Sequence, residues 1–189
     1  MELFTILLLL HIIGTILAVG GATASDALFL KSIKNKHISK DEFKLLHEAS
    51  KLIWTGLVIA VLSGIGFLLN QYYTAGEITY WNNAFFQAKV IIVTIVFLNG
   101  LVFHGKLLPL LKKNIGEDMR EKAISSKFWL FSLTGTISIV SWWSIVILAV
   151  VNPNLPLLYI INAYLLLIAM GTIVSYLMIN QIMLNKNKS

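Results

Sequence analysis

The chain is predicted to be an all-α, polytopic integral membrane protein, a five-transmembrane-helix bundle, and three observations carry that prediction. Of its 189 residues 57% are hydrophobic and 13% charged, whereas soluble domains average roughly 45–50% and about 25%. Five apolar runs, at about 3–30, 52–69, 85–108, 128–151 and 157–184, come near or exceed the ~20 residues that cross a bilayer. The basic residues fall in clusters between alternate runs, as membrane topology requires. The connections are too short for a second unit, so 1–189 reads as a single transmembrane helical domain.

The first segment opens Met1-Glu2 and holds no Lys or Arg before Lys31. A cleaved signal peptide begins with a basic stretch, so this one is expected to be a retained helix. "SKDE", Ser39 to Glu42, reads as a capping box in which the Ser39 hydroxyl and the Glu42 carboxylate satisfy each other's backbone donors. The second helix is therefore expected over 40–69, beginning in water and entering the membrane at Leu52. The third, over 85–108, carries Lys89 and His104. The tight "NPNLP" turn at 152–156 makes the fourth and fifth antiparallel neighbours. No internal repeat or inverted symmetry is visible.

Orientation follows from charge. Fourteen of the fifteen Lys and Arg residues lie in 31–51, in 106–127 or in the tail at Lys186 and Lys188, and the other connections hold none. The positive-inside rule then puts the N-terminus outside and the C-terminus in the cytoplasm. The net charge of +6 becomes a collar facing anionic lipid headgroups at the cytoplasmic face rather than nucleic acid. The expected location is a bacterial-type plasma (inner) membrane, with the lipid bilayer as partner and a homo-oligomer or a larger membrane complex as possible assemblies.

Helices in lipid associate through small residues that let backbones approach. Gly14, Ala18, Ala22 and Ser25 form such a stripe on the first helix, and Gly56, Ala60 and Gly64 another on the second. These stripes are expected to face each other or a flat ligand.

The candidate chemistry is sparse. With no cysteine, disulfides, thiolate metal sites, iron–sulfur ligation and c-type haem attachment are excluded. A zinc HExxH helix, a P-loop and a nucleophile motif are also absent. His11 falls on the same side of its helix as Gly14 and Ala18, about 12 Å below Leu3, so it faces protein. Lys89, the one basic residue outside the collar, lies about 6 Å inside its helix, a depth at which His11 and Lys89 could be level. Snorkelling to the interface is its alternative role. His104 is about 22 Å further along the third helix, so one haem cannot bridge it to His11. An interfacial histidine is its plain reading, metal ligation or pairing with His47 the alternatives. His37 reads as a solvated loop residue. Asp26, the only acid within a span, is expected to pair with Lys31. The hydroxyls of the fourth helix are expected to bond across helices or back to their own carbonyls, and Asn162, Tyr164, Ser175, Tyr176 and Asn180 of the fifth to line an interior or hold the bundle together.

"HIIGTILAVGG", His11 to Gly21, with "ALF", Ala27 to Phe29, resembles the first helix of the HemJ-type protoporphyrinogen oxidases and the related CopD and DUF2269-like membrane proteins. "FQAKVIIVTIVFLNGLVFH", Phe86 to His104, is similar to their third helix, with a lysine near its start and a histidine near its end. The resemblance covers helices 1 to 3 and differs in a longer lysine-to-histidine spacing and in a fifth helix. It implies a helical scaffold associated with haem b, with His11 as axial ligand to the iron and Lys89 as second ligand or as partner for a propionate or substrate carboxylate. Gly14 and Ala18 would leave room for the macrocycle, and His104 would be the alternative metal ligand. Copper chemistry is not expected, because the chain has no Cys and no paired Met motif. Two readings result: a membrane-embedded b-type haem redox protein serving electron transfer or a HemJ-like oxidation, or a non-enzymatic subunit or small carrier in which His11 makes an interhelical hydrogen bond.

Overall fold

A computed structural model describes residues 2–151 and 155–184. The turn at 152–154 and the tail with Lys186 and Lys188 lie outside the described residues. Five helices are long and apolar enough to cross a membrane: α1 (Leu3–Asn35), α2 (Lys40–Ala75), α3 (Ala84–Lys113), α4 (Phe128–Val150) and α5 (Leu157–Leu184). The first three run past the apolar limits that the sequence suggests. Backbone hydrogen bonding does not stop where hydrocarbon does, so each continues to a chemical terminator. For α1 this is Lys36 in the left-handed conformation, and for α2 it is Gly76.

The capping box is formed: Ser39 Oγ accepts from the Glu42 N–H at 3.1 Å, and the Glu42 carboxylate accepts from the Ser39 N–H at 3.0 Å. It starts α2 at Lys40 and turns the chain back on α1. The two small-residue stripes face each other. A Cβ placed on Gly14 would stand 2.7 Å from the Ala60 nitrogen, and one on Gly56 would stand 2.5 Å from the Ala18 nitrogen and the Gly14 oxygen. Neither position has space for even a methyl group, and Ala18 beside them is wholly buried. In a bilayer, where helices would gain nothing from leaving lipid tails, dispersion between backbones in contact is the attraction that remains.

The second unit is α3, α4 and α5. Helix α4 packs on both neighbours, and α1 reaches it from the hairpin. Asn99 Nδ2 donates to the Thr134 carbonyl at 3.0 Å across α3 and α4, and Ser141 and Tyr164 bond at 2.8 Å across α4 and α5. By contrast, α2 and α3 do not approach closely along their backbones. Within α3 the turn Phe103–Leu107 is π-helical, with the Leu108 N–H reaching back to the Phe103 carbonyl. Pro109 follows directly; it has no N–H to give the Gly105 carbonyl four residues earlier, and its ring would press on that carbonyl. One wider turn relieves both problems.

The largest buried core sits at the lysine-rich end. Ile33, Ile38, Leu46, Leu111, Met119 and Ile124 lie at its centre, drawn from helices and from both basic connections. Those connections are tied together: the Gly116 N–H donates to the Ile38 carbonyl at 2.9 Å and the Met119 N–H to the Lys36 carbonyl at 2.8 Å. Gly116 takes a φ of +83°, which a side chain would resist. Nearby, hydrogen bonds from Arg120 hold the Asp118 carboxyl below the usual carboxylate range.

The α1–α2 contact makes a direct prediction. Gly56→Ala should destabilise the protein in detergent by about 1–3 kcal/mol through overpacking. Gly20→Ala, where a Cβ meets nothing within 4 Å, should not. Thermal unfolding of the two variants checks this, and equal melting would show that the stripes do not set the helix spacing.

Candidate functional site

His11 points into the α1–α2 interface. Its Nδ1 lies 3.0 Å from the Ala60 carbonyl and 3.0 Å from Ser63 Oγ. A carbonyl only accepts, so Nδ1 carries the proton and Nε2 keeps a free lone pair. Phe67 meets the ring edge-on at 5.7 Å. Lys89, half-buried on α3, lies within electrostatic reach of His11. It has no hydrogen-bond or ion-pair partner among the described residues.

These positions bear unequally on haem. An imidazole whose N–H is fixed by a carbonyl and whose other nitrogen is free is oriented as metal-ligating histidines are. The face meant to receive the macrocycle is not available, because Gly14 and Ala18 are in contact with α2. The four residues therefore fit haem b at one nitrogen and not as a seat for the ring. No group of three or more His, Asp or Glu side chains is placed to hold a metal ion among the described residues.

A mostly apolar cavity with a few polar groups on its walls lies elsewhere, nearer the lysine-rich end, between the α1–α2 hairpin and α3 and α4. It has a volume of about 80 Å³. Asp26 and Ser50 face it from the hairpin, Asn99 and His104 from α3, and Thr134 and Ser138 from α4. The large core at the lysine-rich end closes it below, since Phe29, Phe103 and Phe131 belong to both. Leu57, Val96 and Trp142 close it above.

Its side is closed by Trp54, which spans the loose seam between α2 and α3. Gly100 makes room for the indole, since a Cβ there would stand 3.1 Å from Trp54 Cζ2. The indole meets Phe97 edge-on at 5.6 Å, and its Nε1–H donates to His104 Nδ1 at 3.3 Å. That same nitrogen lies 3.0 Å from the Gly100 carbonyl. It accepts from Trp54 when bare and donates to Gly100 when protonated, so it serves one partner at a time.

Asp26 faces the cavity with a single partner, Ser138, whose hydroxyl donates to Oδ2 at 3.1 Å. No cation pairs with it among the described residues. The expected pairing with Lys31 is not formed. Five residues along a helix separate side chains by about 140°, so the two point to different neighbours. Lys31 instead reaches Glu42 at the start of α2, at 3.5 Å. The pairing of His47 with His104 is also not formed: His47 is exposed, and His104 engages Trp54.

The structure thus puts Lys89 within electrostatic reach of His11 near one end, and His104 and Asp26 on the walls of one cavity nearer the other. Sequence reasoning passed over Trp54 and Asn99. An amide inside an apolar run was the available signal for Asn99. Trp54, three residues past Lys51, reads as an ordinary interfacial aromatic. Comparison of the chain with family models, with curated proteins and with solved structures returns no match.

The role of His11 is open to measurement. Replacing it with Ala removes the ring's hydrogen bonds to Ala60 and Ser63 and leaves a gap between α1 and α2, and should lower stability in detergent by about 1–3 kcal/mol. Melting of His11→Ala against wild type checks this, and no change would remove the imidazole from the interface.

Proposed function

We propose that the chain is a non-enzymatic membrane protein of carrier type that holds a small solute in the Asp26–His104 cavity. The observation that carries this reading is Asp26, the only acid within an apolar span, which faces a cavity and has no cation beside it. Ionisable groups at membrane depth are costly, and those that persist mark solute and ion paths. In this reading the lysine-rich end faces the cytoplasm of a bacterial-type plasma membrane, with the basic collar against anionic headgroups. His11 serves as an interhelical clamp.

A carrier exposes its site to each face in turn, and the chain's lack of cysteine makes that measurable. Gly135 lines the cavity, and a Cβ there meets nothing within 4 Å. In sealed proteoliposomes, the Gly135→Cys thiol should react with a small membrane-impermeant methanethiosulfonate added from either face. Reaction from one face or from neither would overturn the carrier reading. A reporter fused after Ser189 should be cytoplasmic in cells; an external reporter would reverse the orientation.

A b-type haem redox role is the second reading, favoured by the fixed Nδ1–H and free Nε2 of His11. The absorption spectrum of protein from haem-replete cells separates the two. A Soret band lost in His11→Ala supports haem, and colourless protein supports the carrier.

A further inference from the structure

We propose that the occupant of the cavity is a small organic ammonium ion, a protonated primary amine of a few heavy atoms. The inference rests on the cavity being the protein's working site and goes on to name what that site takes.

Among the described residues, Asp26 and His104 are the only titratable side chains that line the cavity, and no Lys or Arg does. On its walls α2 and α4 contribute no ionisable group and α5 no residue. A cation finds the Asp26 carboxylate there, whereas an anion would find a charge only on a protonated His104.

Hydrogen-bond direction agrees with this. Ser138 donates to Asp26, Asn99 Nδ2 to the Thr134 carbonyl, Thr134 Oγ1 to the Leu130 carbonyl and Trp54 Nε1 to His104, while Ser25, Ser50 and Trp142 bring further donors to the walls. Asp26 Oδ1 and Asn99 Oδ1 make no hydrogen bond among the described residues. An ammonium group, which only donates, suits these open acceptors.

Phe29, Trp54, Phe103, Phe131 and Trp142 surround the polar groups. Aromatic faces attract organic cations and are the usual surroundings of bound ammonium groups. They are a poor shell for a hard metal ion, which takes six or more oxygen ligands. One carboxylate against five aromatic rings suits an ammonium head on an alkyl body.

Volume sets the size. About 80 Å³ exceeds what a single water needs, roughly 10–15 Å³, and falls short of the roughly 150 Å³ of a cavity that binds benzene. Methylammonium and ethylammonium are on that scale, and tetraethylammonium is not.

Ligand-induced stabilisation tests this without reference to transport, because a ligand that binds only the folded state raises its melting temperature. Full-length protein in detergent should melt higher in ethylammonium chloride than in sodium chloride of equal ionic strength. Ethanol, sodium acetate and tetraethylammonium chloride should give no such shift. Asp26→Asn should lose the ethylammonium shift. So should Gly135→Leu, which fills open space in the cavity and leaves every polar group in place; it keeps the test decisive if Asp26→Asn does not fold.

No ethylammonium shift in wild type, or a shift that survives in Gly135→Leu, would overturn the proposal. A cavity that holds only water would show the first of these results. The carrier reading fails separately: an ethylammonium shift without two-sided labelling at Gly135→Cys would leave an ammonium-binding protein that is not a carrier. Two-sided labelling without the shift would leave a carrier of some other solute.

Discussion

The backbone contact between α1 and α2 at Gly14 and Gly56 is the constraint on which the rest of the structure depends. Where a Cβ would fall 2.5 to 2.8 Å from backbone atoms of the opposite helix, the two backbones are in direct contact. Between lipid tails, which are as apolar as leucine, such an approach would supply what burial supplies in water. The hairpin that results is a unit with its own polar clamp at His11. Its far end carries Asp26 and Ser50 to one side, and α3 and α4 meet them there. Since α2 and α3 do not approach closely along their backbones, side chains fill the seam, and Trp54 reaches Gly100 and His104 across it.

Polar groups along the helices are for the most part answered locally. Thr15, Thr23, Thr94 and Thr172 donate to carbonyls one turn back on their own helices. Such bonds let a hydroxyl sit in an apolar run without a partner elsewhere. Asp26 cannot do this, because a carboxylate only accepts and helical N–H groups are already engaged. It takes Ser138 from α4 and keeps the rest of its acceptor capacity toward the cavity. The π turn at Phe103–Leu107 is the neighbouring departure from regular helix. It places Phe103 and His104 on the same wall, and Pro109 supplies its local cause.

At the lysine-rich end the balance of forces is different. The two basic connections are outside the apolar spans, where ordinary hydrophobic burial operates, at roughly 1.5–3 kcal/mol for each large side chain. Ile38, Met119 and Ile124 are therefore driven inward, and the connections fold over the helix ends as a cover. This cover lies between the cavity and the lysine-rich face, since Leu46, Phe29, Phe103 and Phe131 belong both to it and to the cavity wall.

The five helices, the capping box at Ser39 and the two small-residue stripes were legible in the sequence because each depends on residues close together along the chain or on one face of one helix. Run length, local hydrogen-bonding groups and a four-residue spacing of small side chains determine them without knowledge of any neighbour. The small-residue stripes were read as facing each other or a flat ligand, and only tertiary structure chose between those, by bringing Gly56 against Gly14. The same holds for Asp26, whose nearest cation in sequence is Lys31 and whose partner in space is Ser138, 112 residues away. Trp54, Asn99 and His104 likewise become one wall only through the angle at which α3 leaves the hairpin. That angle is set by where two surfaces fit, and no single segment carries it.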